Sequence, residues 1–326
     1  MTHANNKADN PSIWLLEFDI ETTSGSQLLY ANGRQQVEVT LTLKTKEAFP
    51  LTTLQKESLC IVVQQSNGEY VRLPDEVGVN SWWASETQGV YDYYPIAAKE
   101  QPSITNKRNE LEQAETFYQK RFYVMTRATA GDAIKLRAQV SRSADETYQS
   151  IIPFEHSVTL TSVRTPDFSA PDNYTLTRRL VSGNENLGRF VYEYQLYPTN
   201  MIFKSAEVLP LGMIQWDDRN PAETRASNVG FAGPNQPAFS YDEDIITGDA
   251  FKEERVMYVT YQSPGRLSIV LQGGINIPYH SNSAIYHNGP CKVNGIDMNG
   301  NDHAVGVQFN GASGFVARTN LEITSI

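Results

Sequence analysis

Alternation at period two dominates this chain. Val37, Val39, Leu41 and Leu43 alternate with Glu38, Thr40, Thr42 and Lys44. Ile134, Leu136, Ala138 and Val140 alternate with Lys135, Arg137, Gln139 and Ser141, and Phe154, His156, Val158 and Leu160 with Glu155, Ser157, Thr159 and Thr161. Side chains that point up and down in turn put one set on a buried face and the other in water. That is the pattern of strands in antiparallel sheets with one wet face.

The second half repeats it. Phe190, Tyr192, Tyr194 and Leu196 alternate with Arg189, Val191, Glu193 and Gln195. Residues 255–262 and 266–271 are expected as two strands joined across Ser263-Pro264-Gly265, and Val305, Val307 and Phe309, then Leu321 and Ile323, as the last strands. In the first half the Asn67-Gly68 step favours the positive φ of a hairpin turn between residues 61–63 and 70–73. A single segment reads as a helix. Asn109 can cap it, Glu112 stands three residues on, and Leu111, Ala114, Phe117 and Tyr118 share a stripe, so the spacing predicts a helix over 110–119. One helix among about a dozen strands excludes a parallel βαβ fold, whose crossovers are usually helical.

At roughly 150 residues per domain, 326 residues suggest two domains. The break is expected at 164–173, where Pro166 and Pro171 deny ladder hydrogen bonds. The expected organisation is a mobile tail over 1–10, a β-sandwich over 11–163 with an insertion at 74–120, the linker, and a second β-sandwich over 174–326. The fold class is all-β.

Lys plus Arg is 27 and Asp plus Glu 37, a formal charge of -10, which argues against a nucleic-acid partner. No apolar run approaches the roughly 20 residues of a spanning helix, so no membrane span is expected. The polar start lacks the layout of a secretory signal, so the chain is expected to be cytoplasmic or exported by a signal-independent route. Cys60 and Cys291, isolated from each other in sequence, are expected as free thiols.

The stretch Tyr30-Ala31-Asn32-Gly33, leading into Val37-Glu38-Val39-Thr40-Leu41-Thr42-Leu43, resembles the opening strands of bacterial immunoglobulin-like modules of invasin-type adhesins. Ala128-Thr129-Ala130-Gly131-Asp132, followed by Ile134 to Val140, resembles a late turn and strand of the same module. The resemblance covers residues 30–43 and 128–140 and does not extend to the insertion or the second half. It implies an immunoglobulin-like first sandwich and a structural, display or binding role.

Three groups of residues are candidates for chemistry. Trp82, Trp83, Tyr91, Tyr93 and Tyr94 fall within one insertion. Exposed, such rings stack on sugars or anchor a protein partner; buried, they plug the end of a sandwich, and large rings are mostly covered. His280, His287, Cys291 and His303, with Asp297 and Asp302 nearby, supply metal-ligating types without a zinc-finger spacing. Residues 297–302 have the carboxylates and amides of a calcium-loop start, but Asp302 stands where that loop needs Gly, so a hairpin turn through Asn299-Gly300-Asn301 is expected. Asp242, Glu243, Asp244 and Asp249 form a further acidic run, expected as a solvated loop. His156 is expected as a hydrogen-bonded core histidine.

No nucleophile elbow, phosphate loop or cofactor-binding motif is present. The order of expectation is therefore a non-enzymatic protein that binds a glycan or protein surface, then a signal-less toxin or effector, then a carbohydrate hydrolase using Asp217 or Asp218 with Glu223.

Overall fold

A computed structural model of the chain describes residues 10–78, 81–95, 115–217, 224–247, 251, 254–310 and 317–326. The chain divides into two compact units, Met1–Thr165 and Pro166–Ile326. Both are built from β-sheets. Among the described residues no helix is long and apolar enough to cross a membrane.

In the first unit, strands β1 (Leu15–Thr22), β3 (Val37–Thr45), β7 (Phe117–Thr126) and β6 (Trp82–Ser85) lie in that order in one antiparallel sheet. A second sheet runs β2 (Leu28–Tyr30), β10 (Val158–Val163), β8 (Ala133–Ser143), β4 (Cys60–Gln64), β5 (Tyr70–Arg72), with β9 (Glu146–Gln149) also paired to β8. Its β2–β10 pair is parallel; the others are antiparallel. The alternating apolar sets meet between the sheets. Phe18, Leu41 and Val124 from one pack with Ile61, Leu136 and Leu160 from the other. Burying each such side chain is worth ~1.5–3 kcal/mol.

Several expectations fail here for local reasons. Phe117, Tyr118 and Gln119, expected in a helix, open β7, where Lys44 pairs with Phe117 and Leu43 with Tyr118. Residues 110–114 lie outside the described residues. A neighbouring strand overrides a 3.6-residue stripe that sequence alone cannot distinguish from it. The helix that does form, α1 (Thr53–Ser58), starts with a reciprocal capping box between Thr52 and Gln55. Thr40 and Thr42, expected in water, are buried. The Thr23 and Thr40 hydroxyls lie 2.9 Å apart, and Gln119 Nε2 donates to Thr42 Oγ1 at 3.0 Å. His156 is not a core residue. Glu155 has a φ of 50°, which breaks the extended run, and β10 begins only at Val158. The exposed His156 ring instead pairs with Asp19 at 2.7 Å.

In the second unit, β11 (Tyr174–Asn184), β12 (Arg189–Pro198), β16 (Leu267–Gly274), β15 (Ala226–Ala232) and β14 (Gly212–Trp216) form one antiparallel sheet. It faces β13 (Phe203–Leu209), β17 (Cys291–Asp297), β18 (Asp302–Phe309) and β19 (Leu321–Thr324). Tyr194, Leu196 and Ile269 of the first sheet pack against Val293, Val305 and Val307 of the second. Gly273 is needed where it stands, because the Phe190 ring occupies the space a Cβ would take.

The other face of the five-stranded sheet is also covered. Val191, Ala232 and Val270 pack under Phe239 and Tyr241. Ile214, Trp216 and Ala226 pack under Ile245, Phe251 and Ile277, and Ala284 of the short helix α2 (Ser281–Tyr286) joins them. Every residue of β15 and β16 is therefore buried, which explains why neither alternates. Residues 255–262, expected as a strand, form no ladder. Apart from an isolated bridge between Ala238 and Tyr258, they run as an irregular strap over this covered face.

Candidate binding site

The aromatic insertion is mostly structural packing. Trp82 and Trp83 are buried on β6, opposite Thr126 and Met125 of β7, and Trp82 belongs to the first core. The Tyr93 hydroxyl donates to Glu38 Oε2 at 3.1 Å and accepts from Gln88 Nε2 at 3.2 Å. Burial, with the Glu38 carboxylate beside it, pushes the Tyr93 phenol well above its ordinary value. Tyr94 packs on Tyr30 with ring centroids 4.9 Å apart, and Tyr91 is half-buried. Two glutamines tie this segment to the sheet. Gln35 Nε2 donates to Asp92 O at 3.1 Å, and Gln36 Oε1 accepts from Gly89 N at 2.7 Å. A cavity of about 230 Å³ opens beside Trp82, between Val71, Leu73 and Pro74, smaller than the roughly 300 Å³ at which ligand pockets begin. A hollow of about 340 Å³ beside Tyr148 and Pro153 has no carboxylate, imidazole or amine in its described lining.

The candidate metal ligands separate into independent structural roles. Among the described residues no three His, Cys, Asp or Glu side chains come together as a metal site. His280 caps α2, with Nδ1 3.3 Å from Ser283 N. His287 pairs with Asp242 at 2.9 Å. The Cys291 thiol donates to Gly212 O at 3.5 Å, and burial, helped by Asp242, pushes it up to about 12. Both cysteines are free and buried. Asp302 is exposed at the start of β18.

Asp297 instead organises the hairpin between β17 and β18. Its carboxylate accepts from Asn299 N at 2.8 Å, Asn301 N at 3.0 Å, Asn301 Nδ2 at 3.1 Å and His303 Nε2 at 3.2 Å. Gly300, at φ 82°, closes the expected turn. His303 is stacked on Phe168 at 4.0 Å and meets the Tyr174 hydroxyl at 3.2 Å. Burial alone would raise the Asp297 carboxyl, but the hydrogen bonds from His303 and Asn301 and the nearby imidazole hold it below its usual value. The side chain is sealed from solvent, so this Asp–His–Tyr chain braces a turn rather than meeting a substrate.

The other acidic groups are similarly engaged. Glu243 pairs with Arg255 at 2.8 Å, and Asp244 N donates to Asp242 Oδ1 at 3.0 Å; Asp249 lies outside the described residues. Asp217 pairs with the buried Arg318 at 3.3 Å and accepts from Arg225 N at 3.2 Å, while Asp218 and Glu223 lie outside the described residues.

The exposed aromatic surface is elsewhere, on the strap. Glu193 projects from the outer face of β12 and is 4% exposed. Its two oxygens accept from Thr260 N at 2.7 Å and Tyr261 N at 3.1 Å. Beside it, Gln195 Nε2 donates to Tyr261 O at 2.7 Å and Gln195 Oε1 accepts from Arg266 at 3.0 Å. The strap, pinned by these side chains, presents Tyr258 at 71% and Tyr261 at 50% exposure. The Arg179 guanidinium lies 5.3 Å from the Tyr261 ring centroid, and that of Arg266 lies 4.0 Å from the Tyr197 centroid. Arg179, Tyr261, Arg266 and Tyr197 thus gather around Gln195 as a tyrosine–arginine face, with Tyr258 three residues before Tyr261 on the strap. Its sequence signal was slight. Glu193 and Gln195 read as ordinary solvent-facing positions of β12, and Tyr258 and Tyr261 read as strand residues.

No family model matches the chain, and no curated protein matches it. Its class rests on architecture: an all-β chain of two units, each a pair of facing sheets, with an aromatic surface on the second.

Proposed function

We propose that this is a non-enzymatic binding protein of two β-sandwich domains, which recognises a glycan or protein partner through the tyrosine–arginine face. The observation that carries the reading is the exposure of Tyr258 and Tyr261 on a segment fixed from beneath by the buried Glu193. Rings that combine apolar area with a polar edge, presented without further ordering, are what recognition surfaces use. Irregular segments carried on rigid sheets are where binding residues concentrate.

The first unit acts as an immunoglobulin-like scaffold, as the resemblance to invasin-type modules implies. Strand order supports this. The sheet β1-β3-β7-β6 runs as the A, B, E and D strands of such a sandwich do, and β10-β8-β4 runs as G, F and C.

The test is a glycan array, with immobilised cell-surface proteins as a second panel, probed with the wild type and a Tyr258→Ala/Tyr261→Ala variant. A ligand held by the wild type and lost by the folded variant supports the reading. A variant that binds every ligand as the wild type does rejects it.

A further inference from the structure

We infer that the partner is an acidic polysaccharide, an extended sugar chain carrying carboxylates, and that Arg179 and Arg266 read its charge. This rests on the reading of the tyrosine–arginine face as a binding surface.

Among the described residues neither guanidinium has a carboxylate within ion-pair range, whereas Arg72, Arg178, Arg255 and Arg318 each have one. Glu193 stands opposite Arg179 in the ladder, but both its oxygens are taken by strap N–H groups. Arg266 donates to the neutral Gln195 and keeps its charge. Stacking on Tyr261 and Tyr197 preorganises both guanidinium groups, so less freedom is lost when an anion arrives.

Spacing selects the ligand's form. Arg179 pairs with Glu193 in the ladder and lies over Tyr261, whereas Arg266 donates to Gln195, two residues along β12, and rests on Tyr197, four residues along. At ~3.4 Å per residue those strand positions span roughly 7 to 14 Å, within reach of an extended chain. Tyr258 and Tyr261 offer open rings to the apolar faces of sugars. A nucleic acid fits poorly. It carries a charge every ~1.7 Å of duplex, which two arginines on a chain of net charge -10 do not neutralise.

The test is titration calorimetry of the full chain with oligosaccharides of polygalacturonate, alginate and hyaluronan, with the methyl ester of each, and with polyglutamate. The expected result is binding to at least one acid, about tenfold weaker for its ester and falling with salt. Arg179→Met and Arg266→Met should each cost about tenfold, with Arg266→Lys recovering part of the loss at an unchanged melting temperature. If an ester binds as tightly as its acid, or polyglutamate binds more tightly than all three acids, the inference fails and the binding face stands. Binding to none of the three acids also overturns the inference. If in addition the Tyr258→Ala/Tyr261→Ala variant retains every ligand of the wild type, the binding face falls with it.

Discussion

The carboxylate of Glu193 lies under the backbone of Tyr261, accepting its N–H at 3.1 Å from a position almost closed to solvent. A buried carboxylate is tolerable only when its lone pairs are answered, and here two main-chain donors answer them. Glu193 is thus one anchor of a strap that has no ladder of its own, beside Gln195, Gln272 and main-chain bonds to residues 237 and 239.

That attachment can be weighed directly. Glu193→Gln places an amide NH2 where one N–H donor needs an acceptor. The expected loss is about 1–3 kcal/mol in urea unfolding, with faster amide exchange at residues 260 and 261. Unchanged exchange there would show that the strap's other bonds hold it without Glu193.

Asp297 makes the second unit sensitive to acid. Its folded carboxyl titrates below the unfolded value of about 3.9. Above that pH the ionised, hydrogen-bonded form supports the fold in full. The contribution fades as the pH falls through the lowered folded value. Thermal unfolding between pH 7 and 2 should therefore show a steeper acid decline in the wild type than in Asp297→Asn, and the variant should be weaker by about 2–4 kcal/mol at pH 7. Parallel acid limbs would reject the assignment.

Trp82 and Tyr258 should separate packing from recognition. Trp82→Ala removes a ring from the first core and should cost about 3–5 kcal/mol, with a deficit that Trp82→Phe partly restores. Tyr258→Ala, on an exposed ring, should stay within about 0.5 kcal/mol of the wild type. Melting curves of the three variants decide, and equal losses for Trp82→Ala and Tyr258→Ala would contradict the division.

The two thiols should be inert in the native chain. Burial comes first among the causes that raise both Cys60 and Cys291, so little thiolate forms at neutral pH. Mass spectrometry after iodoacetamide at pH 7 should find no adduct on the folded chain and two after denaturation. Rapid native labelling of Cys291 would place it nearer solvent than its burial implies.

Much of the architecture was legible because alternation reports a strand's own two faces. Val37 to Leu43 and Ile134 to Val140 are strands as their pattern predicts. What alternation does not report is what covers the polar face. Thr40, Thr42, Glu193 and Gln195 look solvated in sequence, yet partners remote in the chain bury all four. Trp82 and Trp83 carry no period because both faces of β6 are occupied. The tyrosine–arginine face was illegible for the same reason: Arg179, Tyr197, Tyr261 and Arg266 meet only through strand pairing and through Gln195.

The strap is fastened by Glu193, Gln195 and Gln272 and by main-chain bonds to residues 237 and 239, and none of these holds uses the rings of Tyr258 and Tyr261. A substitution of either ring that keeps the main chain therefore changes what the surface presents and leaves the anchors beneath it in place.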